Sequence, residues 1–342
     1  MKMCHIIAIP MTGVGLHGGF RGNSWYEHRI NIFKNYTLKS LANQTNKDFL
    51  LWMWFRPEEE HNPLTSRLRE AVEKAGVPHV FTFNGLMYWD DKFNNFRWKT
   101  RVRNALMMLL DMWHYREWKS LREIVRNSWE NKNLTLPMRV DRSLKDLGET
   151  IGMDYDWVYL TRIDSDDLFH EEAANLIQSQ EPAERKALVF GSGYILNVNT
   201  GQLAEWNPPT NPPFHTIIFP GNVFFRPLQH IAYYGDFKTH EDIHDVFNCT
   251  TLDMNKYIVS FHGKHISTAW TSPALKKAYH KVKYGKVDPF KGPEIKGYLY
   301  TTSGKNISTH WQSRTGHIRN PMIGREFGGE VKEEILHGFG LN

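Results

Sequence analysis

The sequence predicts an α/β protein built on a mostly parallel sheet. Short apolar runs that fit buried strands alternate with segments that have the apolar spacing of helices, and such alternation is typical of parallel sheets with helical connections. The chain has 342 residues, of which 41% are hydrophobic and 23% are charged, a composition that is ordinary for globular proteins. A cluster of aspartates directly follows one of the apolar runs. Because ligands of open α/β sheets bind at the carboxyl ends of strands, this cluster is a candidate site.

The first part of the predicted sheet is a strand, a helix and a strand, followed by a second helix and strand. Residues 5–9 form a buried strand, and a glycine-rich loop then leads into an amphipathic helix over residues 30–41. Residues 48–55 predict the second strand. A helix over 66–75 precedes the third strand at 79–83.

The middle of the chain interrupts this alternation. Residues 97–150 have a helical pattern without strand signals, which predicts helices inserted before the sheet resumes at 156–161. One further strand is predicted over 187–197. The proline-rich segment 206–213 then breaks regular structure.

The last predicted elements are a strand or ribbon, a helix and a strand. They are expected near 217–225, from 240 to 247 and over 257–261, respectively.

Composition narrows the class of protein and the kind of partner. No apolar run approaches the length of about 18 residues that a membrane span needs, and two cysteines, Cys4 and Cys249, are too few for a disulfide framework. We therefore expect a cytosolic protein, with the inner face of a membrane as an alternative location. The formal net charge of +5 predicts an anionic partner. A nucleotide diphosphate, an acidic glycan, a membrane surface and nucleic acid all fit that charge.

The aspartate cluster comprises Asp164, Asp166 and Asp167, just past the end of the strand predicted at 156–161. Two aspartates separated by one residue at a strand end can direct two oxygens at one hard cation, and Mg²⁺ or Mn²⁺ prefers such ligands. The alternative is a polar turn, since Asp and Ser are favoured in turns.

Two segments resemble a known family. NYTLKSLANQTNKDF at 35–49, followed by an apolar strand, looks like the opening of nucleotide-diphospho-sugar transferases, where a helix ending in a Ser-Leu-x-x-Gln-Thr pattern precedes the second strand. Together with TRIDSDDLFH at 161–170, it is similar to the bacterial rhamnosyltransferase family of GT-A enzymes. The resemblance implies a GT-A fold, a nucleoside-diphosphate sugar as donor, and Mn²⁺ or Mg²⁺ bound by Asp164 and Asp166.

The resemblance covers roughly residues 5–270, and we expect the chain to divide near the end of that range. Residues 1–270 are expected to form the GT-A catalytic domain, with 97–150 as its helical insertion. Residues 271–342 are expected to form a C-terminal extension that packs on this domain.

Three arginines are candidates for binding the donor diphosphate. Many of these transferases have an acidic residue after the second strand, whereas here the strand continues into Arg56 and Pro57, so that Arg56 is expected to face phosphate instead. Arg101 and Arg103 lie in a segment, KTRVRN, that resembles the basic turn near the donor. Arginines can bind phosphate oxygens with two parallel hydrogen bonds, and an exposed basic helix face is the alternative.

The segment THEDIHDVF at 239–247 is the candidate source of a catalytic base. Inverting GT-A transferases often have an acidic pair at a helix start, and Asp242 or Glu241 would there accept the proton of the acceptor hydroxyl. Acidic residues are also favoured at helix starts by the helix dipole, and a retaining mechanism needs no such base.

The same segment contains the spacing of a zinc peptidase. His240, Glu241 and His244 spell His-Glu-x-x-His, which on an α-helix places two imidazoles on one face with a glutamate as base. Asp242 and Asp245 occupy positions that are usually apolar in such helices, which favours the transferase over the peptidase.

A histidine after the last predicted strand is a candidate for a further metal ligand. His262 is the first choice and His265 the second, because GT-A enzymes frequently add a histidine from a late strand. Neutral imidazole is compatible with Mn²⁺ more than with Mg²⁺. A hydrogen-bonded structural histidine is the alternative.

The sequence thus predicts transfer of a sugar to a hydroxyl group on a glycan or a lipid-linked glycan. The basic excess and the aromatic residues leave a second acceptor open, a hydroxymethylated pyrimidine of viral DNA. A duplex acceptor would require either groove access or base flipping. A non-catalytic carbohydrate-binding protein is a further alternative.

Overall fold

The computed structural model describes residues 1–12, 22–86, 118, 135–207, 214–235, 240–252, 255–262 and 323–341. Its strands form two sheets. They are β1 (Met3–Pro10), β2 (Leu50–Trp54), β3 (His79–Thr82), β4 (Trp157–Arg162), β5 (Leu168–Phe169), β6 (Lys186–Phe190), β7 (Gly193–Asn197), β8 (Leu203–Trp206), β9 (His215–Pro220), β10 (Asn248–Leu252), β11 (Tyr257–Phe261) and β12 (Ile323–Phe327).

Most of the helices cover the first sheet or connect its strands, and the last one packs against the second sheet. The helices are α1 (Gly22–Ile32), a π-helical turn (Phe33–Thr37), α2 (Leu38–Ala42), α3 (Pro63–Lys74), α4 (Leu136–Ile151), α5 (Ala173–Gln178), α6 (Gly221–Phe224), α7 (Pro227–Tyr234) and α8 (Gly329–His337). Short 3₁₀ helices occur at Pro57–Glu59 and His240–Asp245.

The first sheet has seven strands in the order β10, β6, β9, β4, β1, β2, β3. Strands β3, β2, β1 and β4 run parallel, as do β6 and β10, and β9 is antiparallel to both β4 and β6. The carboxyl ends of the six parallel strands therefore lie at one edge. This topology confirms the predicted α/β fold with a mostly parallel sheet and is consistent with a GT-A-like fold.

The second sheet has five strands in the order β12, β8, β7, β11, β5. Strand β11 is parallel to β7 and antiparallel to the short β5. Because β4 belongs to the first sheet and β5 to the second, the segment between them, 163–167, lies at the junction of the two sheets.

Two cores lie on opposite faces of the first sheet. Ile7 and Ile9 of β1 enter one core, whereas Ile6 and Ala8 enter the other. The first core is covered by α1 to α3, and the second by α4 and α7. Alternation of side chains along a strand buried on both faces produces this arrangement.

The sequence prediction was wrong about residues 187–197, which form two strands in different sheets rather than one strand. The chain passes from β6 to β7 through Gly191 and Ser192. A side chain at Gly193 would place its Cβ 2.6 Å from the carbonyl oxygen of Tyr257, so glycine permits the close pairing of β7 with its neighbour. An apolar run predicts a buried strand but does not indicate which sheet the strand joins.

The strand predicted near 217–225 ends earlier than predicted, so the prediction was wrong for residues 221–225. Strand β9 ends at Pro220, and the short helix α6 takes up the residues that follow. A Cβ on Gly221 would lie 1.7 Å from the carbonyl oxygen of Tyr155, which shows how closely the chain passes there.

The C-terminal segment contacts the second sheet. Phe339 and Leu341 are buried with Leu168 and Ile258 in a third hydrophobic cluster. Residues 263–322 lie outside the described residues, as does most of the insertion predicted over 97–150. The division into 1–270 and 271–342 stays a prediction.

Within the described part of the chain, no helix has both the length and the apolar character required to cross a membrane.

Candidate functional site at the sheet junction

The aspartate cluster lies between β4 and β5, at the carboxyl edge of the first sheet. Strand β5 pairs with β11 in an antiparallel register that places Leu168 opposite Ile258. The residues just before β5 therefore lie beside the residues at the end of β11. This register brings the predicted aspartates and the predicted histidine together from positions about 100 residues apart in the sequence.

Asp166 is the centre of the cluster. Its side chain is buried, at 4% exposed, and its Oδ2 accepts a hydrogen bond from Arg29 Nη1 at 2.6 Å. His262 Nε2 lies 3.0 Å from the same oxygen and is equally buried. Two residues that the sequence predicted as metal ligands, Asp166 and His262, are thus brought into contact.

Arg29 is the residue of this cluster that the sequence analysis missed. It comes from α1, and its Nε donates to Ser165 Oγ at 2.7 Å while its Nη1 binds Asp166. Arg29 lies three and four residues after Tyr26 and Trp25, which are buried, so its position is on the apolar face of the helix. A charged residue on a buried helix face needs a charged or polar partner. The position of Arg29 among apolar residues was therefore the sequence signal that could have indicated a buried ion pair.

His28 completes the contacts on this side. Its Nε2 lies 3.3 Å from Nδ1 of His262, with the two ring centroids 5.2 Å apart. His262 therefore contacts Asp166 with one ring nitrogen and His28 with the other. In a neutral His262 the proton lies either on the nitrogen that faces Asp166 or on the nitrogen that faces His28, and these are the two tautomers of the ring.

Asp164 has different surroundings from Asp166. Its side chain is 32% exposed, and its Oδ1 accepts a hydrogen bond from Arg162 Nη2 at 2.9 Å. The two aspartates predicted as joint metal ligands thus each have an arginine partner, and only Asp164 is open to solvent.

Asp167 ties the aspartate segment to β11. Its Oδ1 accepts a hydrogen bond from the backbone N–H of Ser260 at 2.9 Å, and its side chain is buried. Burial raises the pKa of this carboxyl well above its ordinary value, and the neighbouring Asp166 and Asp164 raise it further. Asp167 therefore has a structural role in joining the two strands.

The donor atoms present fit a divalent ion that substrate oxygens would complete. Asp166 Oδ2 and His262 Nε2 are 3.0 Å apart, which is the separation of adjacent ligands around an octahedral ion with bonds of about 2.1 Å. The described residues include no group of three or more His, Cys, Asp or Glu side chains arranged to hold an ion. Mg²⁺ sites in proteins commonly use one or two carboxylates together with substrate phosphates. His265 lies outside the described residues.

Arg56 is engaged with an acidic partner in this structure. Its guanidinium forms an ion pair with Glu59 in the turn after β2, and its backbone N–H donates to Thr12 Oγ1 at 3.0 Å. Burial works against the charged form of Arg56, but Glu59 and Glu58 outweigh it and raise the pKa. Arg101 and Arg103 lie outside the described residues.

The segment with the His-Glu-x-x-His spacing is a 3₁₀ helix, so a helix is present where one was predicted, but it is not the α-helix that the peptidase spacing requires. It comprises His240–Asp245, with Ile243 buried and His244 exposed. A 3₁₀ helix has three residues per turn, so positions four apart do not share a face as they do on an α-helix. This geometry disfavours the zinc peptidase. The side chains of Glu241 and Asp242 are not among those the structure describes.

The residues of the Ser-Leu-x-x-Gln-Thr pattern bind the chain that follows the aspartates. Gln44 Nε2 donates to the carbonyl oxygen of His170 at 2.8 Å, and its Oε1 accepts from the N–H of Ala174 at 2.9 Å. Thr45 N–H donates to the carbonyl oxygen of Glu171 at 2.8 Å. This motif therefore holds the segment around β5 against α2.

The chain was compared with family models and with curated proteins, and only the family models gave a match. The family model described as "Putative rhamnosyl transferase" matches residues 22–82. A search of curated proteins gave no match. The matched segment runs from α1 to β3 and contains Arg29, Gln44 and Arg56. Residues 22–82 thus carry the family match that the sequence resemblance predicted, and this match supports a glycosyltransferase in general.

Proposed function

We propose that the protein is a metal-dependent glycosyltransferase that moves a sugar from a nucleoside-diphosphate sugar to a hydroxyl group of a glycan or a lipid-linked glycan. One observation carries the proposal: Asp166 and His262 converge at the carboxyl edge of the sheet, beside α1 of the segment that matches the rhamnosyl transferase family. Open α/β sheets bind their ligands at this edge.

The ion would be held by Asp166 and His262, with Asp164 as the carboxylate open to solvent beside them. A bound Mn²⁺ or Mg²⁺ would neutralise charge on the diphosphate leaving group. The imidazole ligand favours Mn²⁺. His265 remains the second candidate for the histidine ligand.

Arginines would bind the diphosphate from the other side. Arg101 and Arg103 are proposed to pair with phosphate oxygens. For Arg56 to do the same, its guanidinium would exchange Glu59 for a phosphate oxygen.

Asp242, or Glu241 beside it, is proposed as the base that accepts the proton of the acceptor hydroxyl, in an inverting reaction. Both belong to the 3₁₀ helix before β10. A lipid-linked acceptor would bring a cytosolic enzyme to the inner face of the membrane.

Replacement of the buried carboxylate tests the proposal. Asp166→Asn keeps the shape of the side chain but removes the negative charge, so metal-dependent hydrolysis of the donor should fall by about 100-fold or more. Changing a residue that only hydrogen-bonds a metal ligand already costs up to about 100-fold, and the loss of a ligand should cost at least as much. Donor hydrolysis is measured across a panel of nucleoside-diphosphate sugars, with Mn²⁺ and with a chelator.

The matched control is Asp154→Asn, because Asp154 is fully exposed and pairs only loosely with Lys2, at 3.8 Å. It should leave hydrolysis unchanged. Equal activity of the Asp166→Asn variant and the wild type would refute the assignment of the site.

A further inference from the structure

Each carboxylate predicted as a metal ligand is already paired with an arginine. Asp164 pairs with Arg162, and Asp166 pairs with Arg29. The second pair is the more buried, with side-chain exposures of 3% for Arg29 and 6% for Asp166. A guanidinium cannot lose its proton in a protein, so this positive charge is permanent.

Arg29 is held in place by several contacts. Its Nη1 lies 2.6 Å from Asp166 Oδ2 and 3.5 Å from His262 Nε2, and its Nε binds Ser165 Oγ at 2.7 Å. The guanidinium carbon lies 5.8 Å from the centre of the Trp25 ring. One nitrogen of Arg29 therefore lies within hydrogen-bond distance of both atoms that would bind the ion.

A divalent ion on Asp166 Oδ2 would lie close to this fixed charge. With a metal–oxygen bond of about 2.1 Å, the ion would be no more than about 5 Å from Arg29 Nη1, since that nitrogen is 2.6 Å from the same oxygen. Salt screens buried charges much less than exposed ones. The ion would therefore be repelled when it binds alone, whereas an ion that arrives with a diphosphate brings the negative charges that offset Arg29.

We propose that Arg29 is a positioning residue that acts as the internal counter-cation of Asp166, so that the site binds a divalent ion together with a nucleoside diphosphate and discriminates against the free ion. This inference rests on the proposed function. In this role Arg29 acts through its positive charge, in addition to its packing contacts.

Titration with Mn²⁺ alone tests this role, with the electron paramagnetic resonance signal of unbound Mn²⁺ as the readout. Wild-type protein should bind free Mn²⁺ weakly, and the Arg29→Gln variant should bind it at least about tenfold more tightly, because the competing charge is gone. Arg29→Lys keeps the charge and should bind free Mn²⁺ as weakly as the wild type. Tighter binding by Arg29→Lys, or no gain in Arg29→Gln, would overturn the proposal.

The control variant is Arg67→Gln. Arg67 of α3 forms an exposed ion pair at 3.2 Å with Glu27, which lies on the same helix as Arg29, so the variant removes an equal charge beside the exposed side of α1 and should not change Mn²⁺ binding. Thermal melting reports whether each variant is folded.

A measurement on the wild type keeps the proposal testable if Arg29→Gln fails to fold. Mn²⁺ is titrated in the absence and presence of UDP, GDP and dTDP in turn, and the Mn²⁺ that each nucleotide binds without protein is subtracted. One of these nucleotides should raise the affinity of the protein for Mn²⁺ by about tenfold or more. Equal Mn²⁺ affinity in all four titrations would overturn the counter-cation role. The proposed function is judged separately by donor hydrolysis, which could be present while this role of Arg29 is absent.

Discussion

Asp164 and Asp166 are two residues apart in the sequence, yet one faces solvent and the other is buried against Arg29 and His262. The aspartate spacing predicted a site at this strand end, and the structure places a cluster of polar residues there. The spacing could not show which carboxylate is buried, because the antiparallel register of β5 with β11 decides that. Arg29 was missed because it is 137 residues away from Asp166 in the sequence.

His262 lends itself to a test of metal preference. His262→Gln removes an imidazole that favours Mn²⁺ over Mg²⁺, so donor hydrolysis with Mn²⁺ should fall by about tenfold or more, and hydrolysis with Mg²⁺ should fall less. Rates are measured with each ion over a range of concentrations. The exposed His61 provides the control variant, His61→Gln, which should change neither rate. An equal fall with both ions would contradict a preference for Mn²⁺ supplied by His262, and unchanged rates with both would argue against His262 as a ligand.

At the scale of elements, the helices and strands around the site followed from apolar spacing. The helix predicted over 30–41 is present as α1, the π-helical turn and α2, and the strand predicted over 257–261 is β11. Failures occurred where a contact distant in sequence decided the element, as at Gly193, which packs against Tyr257. The Ser-Leu-x-x-Gln-Thr motif, which carried the family resemblance, forms hydrogen bonds that link the end of α2 to the chain around β5.

Gln44 is the residue on which this connection most depends. It is 2% exposed, and its amide makes hydrogen bonds to the backbone of His170, Ala174 and Ser40. Gln44→Ala removes all three and should lower the free energy of unfolding by about 2 to 4 kcal/mol, at about 1 kcal/mol for each bond with a further cost for buried groups left unsatisfied. Urea unfolding measures the change.

Gln202→Ala is the control for that prediction, because Gln202 contacts Thr200 in an exposed turn. It should change the free energy of unfolding by less than about 0.5 kcal/mol. A similar loss in both variants would show that the Gln44 contacts add little.

At the scale of the whole molecule, two sheets meet at the segment 163–167, and the larger sheet buries histidines as well as apolar side chains. His5 of β1 lies 2.8 Å from Thr161 Oγ1, and burial lowers its pKa to about 3. His230 of α7 stacks on Phe219, and burial lowers its pKa to about 4. In the sequence, His5 belongs to an apolar run and His230 lies in no predicted element, and the partners of both histidines come from other elements.

The stability of the fold should therefore depend on pH below neutrality. In the unfolded chain a histidine has a pKa of about 6.5. Above that value both states are neutral and the folded state keeps its full stability. As the pH falls from about 6.5 toward 4, the unfolded chain takes up protons that the folded protein does not, and each histidine lowers the free energy of unfolding by up to about 1.4 kcal/mol per pH unit.

The His5→Gln variant separates one of these contributions. Its unfolding free energy should depend less steeply on pH between 6.5 and 4 than that of the wild type, as measured by urea unfolding at several pH values. The same slope in variant and wild type would contradict the assignment to His5.

The π-helical turn at Phe33–Thr37 sets the rotational phase between α1 and α2. Each residue of an α-helix turns the chain by about 100°, and a π-helical turn accommodates one residue more than the α-helix over the same length. Gln44 fixes the end of α2 against the chain after the aspartates, so the number of residues in the turn determines which side of α1 faces them. It is this count that directs Arg29 toward Asp166.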